Sequence, residues 1–209
     1  AATCDRIFLA VKPHMMQGVL APLQKALAEK KPLLITMAAG LEIRQIEEFA
    51  GCELPVIRIM PNTPVAIGKG VIQYCCNDLV SGDLLADWLT DMRFAGQLDA
   101  LEERLIDAGS ALSGSGPAYV YMFIEALADG AVACGIPRAK AYEYAAMTMA
   151  GSAEMYLNTK QHPGALKDAV CSPGGSTIAG VRTLEEHGFR GAVIDCVTDA
   201  YARTQELGK

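Results

Sequence analysis

Short apolar runs separated by amphipathic stretches make up the first part of the chain. Four continuous apolar runs predict β-strands, at residues 6–11, 33–37, 55–60 and 71–75. The first three are typical of parallel strands that are covered on both faces. Apolar positions at helical spacing between and after these runs predict helices, at about residues 14–29, 41–49 and 81–93. The alternation predicts right-handed crossovers and an α/β fold with a doubly wound parallel sheet.

The pattern changes near residue 101, and no further strand is predicted beyond it. Apolar positions at helical spacing predict five helices, at about residues 117–134, 137–158, 163–169, 174–187 and 189–207. We therefore expect two domains, an α/β part over residues 1–100 and an all-α part over residues 101–209.

The helix predicted at residues 117–134 is apolar on nearly every side, because Glu125 and Asp129 are its only charged residues. A helix of this kind is stable in water only if it is buried nearly all round. Five helices of one chain hardly enclose one of their own so completely, so we expect the helical part to pack against a second copy as a two-fold dimer. The alternative is a central helix of a monomeric bundle.

Composition and charge exclude several classes of function. The 209-residue chain has a net charge of −6 and no cluster of Lys or Arg, which argues against a nucleic-acid partner. Its seven cysteines are scattered, without a CxxC pair or a histidine at ligand spacing, so we expect no metal site, no disulfide framework and a reducing cytoplasm. The longest charge-free run, residues 108–124, contains Gly, Ser and Pro, and we expect no membrane span.

Residues typical of a binding crevice follow three of the predicted strands. Lys12-Pro13 follows the first strand, Ala38-Ala39-Gly40 the second, and Pro61-Asn62-Thr63-Pro64 the third. Ligands of open parallel sheets bind outside the carboxyl ends of the strands, so these segments together predict a nucleotide crevice. The chain contains no G-x-G-x-x-G, which leaves two alternatives: it binds no dinucleotide, or the phosphate loop precedes residue 1. The abrupt apolar start without Met favours the second alternative.

The run Cys171-Ser-Pro-Gly-Gly-Ser-Thr177 predicts a helix start suited to a small anion. Ser172 can serve as the N-cap and Pro173 as the first helical residue. The two glycines let a ligand approach the backbone, and two hydroxyls follow beside the free N–H groups of the first turn. The segment therefore predicts a carboxylate site, with a well-capped helix after a turn as the alternative.

A second Ser/Gly cluster, Ser113-Gly-Ser-Gly-Pro117, lies at the predicted domain junction. It is either a hinge before a Pro-started helix or a segment that places Ser115 in the interdomain cleft. The chain contains no nucleophile motif of the form G-x-S-x-G, so we do not expect covalent catalysis by serine.

Taken in order, these segments resemble pyrroline-5-carboxylate reductases over essentially the whole chain. The matching segments are Ala10–Pro13, Ala38–Gly40, Met60–Pro64, Leu112–Tyr119, Phe123–Asp129, His162–Asp168, Cys171–Ile178 and Leu184-Glu-Glu. The resemblance implies a Rossmann domain, here partial because the Gly-rich loop lies before residue 1, followed by an all-α substrate-binding and dimerisation domain. It also implies hydride transfer from NADPH or NADH to 1-pyrroline-5-carboxylate, giving L-proline, in homodimers that can assemble into decamers.

The resemblance also assigns roles to individual residues. On the cofactor side it implies Ala10, Val11, Lys12, Pro13, Ala38, Ala39 and Asn62. On the substrate side it implies Ser115, Ser172, Gly174, Gly175, Ser176 and Thr177. Thr177 is the candidate catalytic residue, because its hydroxyl can reach the ring nitrogen of the imine while the helix start holds the carboxylate.

Two other functions stay open at this point. The chain could be an inactive relative that acts only as a helical dimer. It could also be another Rossmann-type enzyme, such as a hydroxyacid dehydrogenase, which relies on a lysine in the helical domain. Lys140, Lys160 and Lys167 fall in polar settings, which disfavours that second alternative.

Overall fold

The computed structural model describes residues 3–207 and contains two compact units. The first unit runs to Pro117 and resumes at Val197, and the second is Ala118–Cys196. The chain thus leaves the α/β unit within one helix and returns to it within another. The assignment of cofactor binding to residues 1–100, and of substrate binding and dimerisation to residues 101–209, stays a prediction.

The first unit is built on a five-stranded sheet with the strands in sequential order. Its strands are β1 (Arg6–Leu9), β2 (Leu33–Thr36), β3 (Val56–Pro61), β4 (Gly70–Cys76) and β5 (Gly96–Ala100). β4 pairs antiparallel with β3, whereas the other pairs are parallel. A single 3-10 turn, Thr63–Ile67, joins β3 to β4, and this connection is too short for a crossover. The sheet is therefore mixed rather than wholly parallel.

Helices cover both faces of this sheet. They are α1 (Met16–Leu20), α2 (Gln24–Lys30), α3 (Ile43–Ala50), α4 (Gly82–Met92) and α5 (Glu103–Ser113). Leu34 and Val56 pack with residues of α1 to α3 in one buried cluster. Ile35 and Ile57 pack with Trp88 of α4 in a second cluster. Neighbouring strand residues thus face opposite layers, which confirms the doubly wound α/β architecture.

The single helix predicted at 14–29 is wrong, because the segment is broken into short pieces. 3-10 turns at Pro13–Met15 and Ala21–Leu23 flank α1 and separate it from α2. Pro22 has no N–H and crowds the carbonyl four residues earlier, so a continuous helix cannot pass through it.

Strand β5 and helix α5 were not predicted. β5 (Gly-Gln-Leu-Asp-Ala) lies at the edge of the sheet, and its half-exposed residues lack an apolar run. α5 buries one side through Ile106, Asp107 and Ala111. A buried carboxylate within that side interrupts the apolar spacing that would have predicted the helix.

The helical part comprises α6 (Gly116–Ala133), α7 (Arg138–Thr159), α8 (Pro163–Ala169), α9 (Ser176–Glu186) and α10 (Phe189–Leu207). Its buried core is small and consists of Ala128, Ala141 and Ala145. Large apolar side chains of α6 face outward, with Tyr121 62% and Met122 69% exposed. The helix predicted to be buried all round is therefore not buried by its own chain.

Candidate active site

A cavity of about 530 Å³ opens at the carboxyl ends of β1 and β2. The two strands are parallel, with Leu9 opposite Thr36, so the loops that follow them lie side by side. A hydrogen bond from the Met37 N–H to the Leu9 carbonyl, 3.4 Å, continues the pairing into the loops. The cavity is lined by Ala10, Val11, Lys12, Pro13, His14, Met37, Ala39 and Leu207.

This cavity brings together most of the residues that the sequence placed on the cofactor side. Ala10 to Pro13 and Ala39 line it, whereas the side chain of Ala38 is buried in the core beneath it. Asn62 lies elsewhere: its Nδ2 donates to the Ser113 carbonyl at 3.0 Å, and its Oδ1 accepts from the Val71 N–H at 2.9 Å. The Asn62 side chain therefore links the loop after β3 to the end of α5 by a hydrogen bond.

The cavity has the size of a small-molecule binding pocket. Its volume lies within the range of about 300–1,000 Å³ that is usual for ligand pockets. Among the described residues that line it there is no carboxylate, and Lys12 is exposed. A phosphate-bearing ligand therefore meets a cation and no like charge.

A buried ion cluster lies in the same unit. Arg58 on β3 is 1% exposed and pairs with Asp107 and Glu103 of α5. Sequence reasoning missed this cluster, although an arginine inside the apolar run 55–60 was a signal, because a charge in a covered strand requires a buried partner.

The helix start predicted at residues 172–174 lies further along the chain. α9 begins at Ser176 with Gly175 as the N-cap, so Ser172 is not the cap and Pro173 is not the first helical residue. Gly174 has a left-handed backbone (φ +68°), and the Gly175 N–H bonds to the Ser172 carbonyl at 3.0 Å. This tight turn keeps residues 172–174 out of the helix.

The start of α9 has the properties of an anion site. The cap residue is glycine, which has no side chain to accept from the N–H groups of the first turn. Ser176 and Thr177 are exposed there. A hollow of about 420 Å³ beside this start is lined by Gly174, Gly175, Ile178, Ala179 and Arg182. The helix dipole places partial positive charge here, whereas the Arg182 guanidinium is paired with Glu186 at 3.3 Å.

Ser115 belongs to the first unit, and residues 172–177 belong to the second. The Ser115 N–H bonds to the Ser110 carbonyl at 3.3 Å, and the residue is half-buried. Its predicted contact with substrate stays a prediction.

The lysines of the helical unit do not have the environment of a catalytic base. Lys140 is exposed and pairs with Glu143 at 2.9 Å. A hydrogen bond from Lys167 to Asp168 raises the pKa of Lys167, whereas a lysine base requires a lowered pKa. Both observations argue against the lysine-dependent dehydrogenase alternative.

Residues 3–207 contain no group of three or more His, Cys, Asp or Glu placed to hold a metal ion. Within the same residues, no helix has the length and apolar character that crossing a membrane requires.

The second unit carries an exposed apolar groove of about 550 Å³ between α6 and α10. It is lined by Tyr119, Val120, Met122, Phe123, Ala126, Met149, Phe189, Ala192, Val193 and Cys196. The rings of Phe123 and Phe189 lie 5.6 Å apart at its base. An apolar surface of this kind is typical of a protein interface.

Comparisons with known proteins agree with these features. A family profile described as pyrroline-5-carboxylate reductase dimerisation matches residues 103–207, which include the groove. The pyrroline-5-carboxylate reductase of Escherichia coli (strain K12) is 46% identical over 209 residues, covering 100% of this chain and 77% of the relative. The one from Synechocystis is 45% identical, with the same coverage.

A solved structure gives the same result. The crystal structure of Plasmodium falciparum pyrroline carboxylate reductase with NADP bound superposes with a TM-score of 0.92 at 36% identity, covering 99% of this chain and 78% of that chain. The resemblance found in the sequence is thereby confirmed: the chain belongs to the pyrroline-5-carboxylate reductase family.

Proposed function

We propose that this protein is an oxidoreductase that reduces 1-pyrroline-5-carboxylate to L-proline with NADPH or NADH. The observation that carries the proposal is the similarity to named reductases over the whole chain, which includes both the cavity beside β1 and β2 and the start of α9. The neighbour with NADP bound supports the choice of cofactor.

When bound, the cofactor supplies the hydride that is added to the imine carbon. The segment Ala10–Pro13 and the residue Ala39 border the space for it, and the exposed Lys12 offers a cation to its phosphates. Because Ala38 is buried and Asn62 is fastened to α5, these two residues act on the cofactor by shaping the loops.

The start of α9 holds the substrate. Its uncapped N–H groups and the hydroxyl of Ser176 bind the carboxylate, and the turn Ser172–Gly175 sets the direction of those groups. The Thr177 hydroxyl donates to the ring nitrogen, so electron density moves from the C=N bond onto nitrogen as hydride arrives at carbon. A proton from solvent water completes the amine, so the C=N bond gains one hydride at carbon and one proton at nitrogen.

The protein acts as an assembly of its own copies. The dimerisation profile and the exposed groove support a homodimer, and decamers of such dimers are part of the proposal. We place the protein in the cytoplasm, because all seven of its cysteines are unpaired thiols. The net charge of −6 supports a function without nucleic acid, and no membrane partner is part of the proposal.

The test is a spectrophotometric assay of NADPH and NADH oxidation by the purified protein with 1-pyrroline-5-carboxylate, with proline identified as product. Oxidation that depends on both enzyme and substrate is expected. A protein that dimerises yet oxidises neither nucleotide would instead be the inactive helical dimer, and the proposal would be wrong.

A further inference from the structure

One buried carboxylate contacts two separate walls of the cofactor cavity. Asp107 on α5 is 8% exposed. Its Oδ1 accepts from the N–H of Gly40, at 3.3 Å, and its Oδ2 accepts from Nε2 of Gln205, at 3.2 Å. Gly40 directly follows Ala39, and Gln205 lies two residues before Leu207. Ala39 and Leu207 both line the cavity, so each wall lies within two residues of a hydrogen bond to Asp107.

The wall formed by Ala39, the residue before Gly40, depends on this hydrogen bond. The chain leaves β2 at Thr36 and turns through Gly40, which has a left-handed backbone (φ +75°). A loop outside the sheet has no ladder to orient its amides, so a charged acceptor at Gly40 fixes the direction of the turn. The α10 wall lies close to the end of its helix, where helices fray unless they are tied down.

Asp107 is itself held from the opposite side. The guanidinium of Arg58, 1% exposed on β3, donates to Oδ1 of Asp107. Its other terminal nitrogen lies 3.5 Å from Glu103, and Nε of Arg58 has no hydrogen-bond partner within residues 3–207. A buried arginine with an unused donor is costly, and it is compensated here mainly by the carboxylate that it holds.

We infer that Asp107 is a positioning residue for cofactor binding, fixed by Arg58 and acting through Gly40 and Gln205 on the two cavity walls. This inference rests on the proposed function of the cavity. It assigns no contact between Asp107 and the reacting atoms. Its consequence is selective: loss of Asp107 weakens nicotinamide cofactor binding, while the carboxylate site at α9, in the other unit, is untouched.

The chain offers a matched control in Glu103. This carboxylate also contacts Arg58 and also accepts a backbone N–H, that of Ile43 at 2.6 Å. It holds the start of α3 and neither cavity wall. Glu103→Gln therefore changes the same ion cluster and leaves the cavity in place.

The experiment compares wild type, Asp107→Asn, Gln205→Met and Glu103→Gln in the purified protein. Amide hydrogen exchange is followed in peptides covering residues 38–40 and 203–207. NADPH binding is titrated by its fluorescence without substrate, and KM is measured for each substrate. Gln205→Met is the mild variant, because it removes a single hydrogen bond at an exposed residue and keeps Arg58 paired.

For Asp107→Asn we expect faster exchange in both peptides, roughly tenfold weaker NADPH binding and a KM increase for NADPH alone. Gln205→Met should affect only the 203–207 peptide and weaken binding a few-fold, and Glu103→Gln should change neither. Equal losses in Asp107→Asn and Glu103→Gln, or faster wall exchange with unchanged NADPH affinity, would overturn the inference. A wild type that binds NADPH but does not turn over would refute the proposed function alone.

Discussion

Replacing Met122 by aspartate should break the association between copies of this chain. Met122 lies on α6, lines the apolar groove and is 69% exposed in the single chain. Phe123 and Phe189 line the same groove, with their ring centroids 5.6 Å apart. The substitution therefore removes apolar surface from the interface without removing any core side chain of the second unit.

The size of the effect follows from burial and symmetry. A methionine side chain that passes from water into a packed interface contributes about 1.5–3 kcal/mol. A two-fold interface contains Met122 twice, which doubles this to about 3–6 kcal/mol, or roughly 10²- to 10⁴-fold in the dimer dissociation constant. The desolvation of the new carboxylates adds to the loss.

Sedimentation equilibrium over a range of concentrations measures this constant. The matched control is Ile67→Asp, which makes the same kind of change at a residue that is 77% exposed in the first unit. We expect the control to associate like wild type and Met122→Asp to populate monomer. Wild-type association by Met122→Asp would refute the assignment of the groove as the interface.

Three further predictions concern the site and the pH dependence. Thr177→Ala should lower kcat/KM up to about tenfold at unchanged Tm, since it removes one hydrogen bond at an exposed residue; unchanged kinetics would contradict its role. Gly175→Ala should reduce turnover, because the new Cβ would lie 2.4 Å from Oγ of Ser172. Adding Ser172→Ala should restore much of the turnover, and a double variant no better than the single one would contradict this cause. Burial raises the pKa of Cys75 from 9.0 to about 12, so its contribution to the free energy of unfolding is complete below pH 9.0 and is lost as the pH rises towards about 12. Denaturant titrations of Cys75→Ala should show a shallower alkaline decline than wild type, and an identical decline would rule out this thiol.

The sequence predicted those elements in which the spacing of apolar residues matches the faces that are buried in the fold. β2 and β3 are apolar runs and lie between two helical layers, so pattern and environment agree. The direction of β4 was not predictable in the same way. Its residues are apolar in either orientation, and only the short connection through Thr63–Ile67 makes it antiparallel.

The cavity beside β1 and β2 was predictable from the sequence because the strand ends define it, whereas the distant side chains that support it were not predictable. Ala10 to Pro13 and Ala39 follow directly from strand positions, since parallel strands end at a common edge. Asp107 is separated from Gly40 by 67 positions and from Gln205 by 98. No local period relates residues so far apart, so only the packing of α5 and α10 in the folded unit reveals their contact.

The glycine pair before α9 has a role in the backbone that the sequence did not reveal. From the sequence, the glycines make room for a ligand. In the structure, Gly174 occupies a left-handed conformation, and a Cβ at Gly175 would collide with Ser172. The turn thus requires glycine at position 174, and glycine at position 175 avoids a clash with the Ser172 side chain, before any ligand is considered. The same turn leaves the cap without a side chain, so the first N–H groups of α9 stay available to a carboxylate. The same backbone turn therefore explains both the glycines and the free N–H groups of an anion site. For this reason Gly175→Ala alone cannot separate an effect on the turn from an effect on the anion site. Comparison with the double variant Gly175→Ala, Ser172→Ala can separate them.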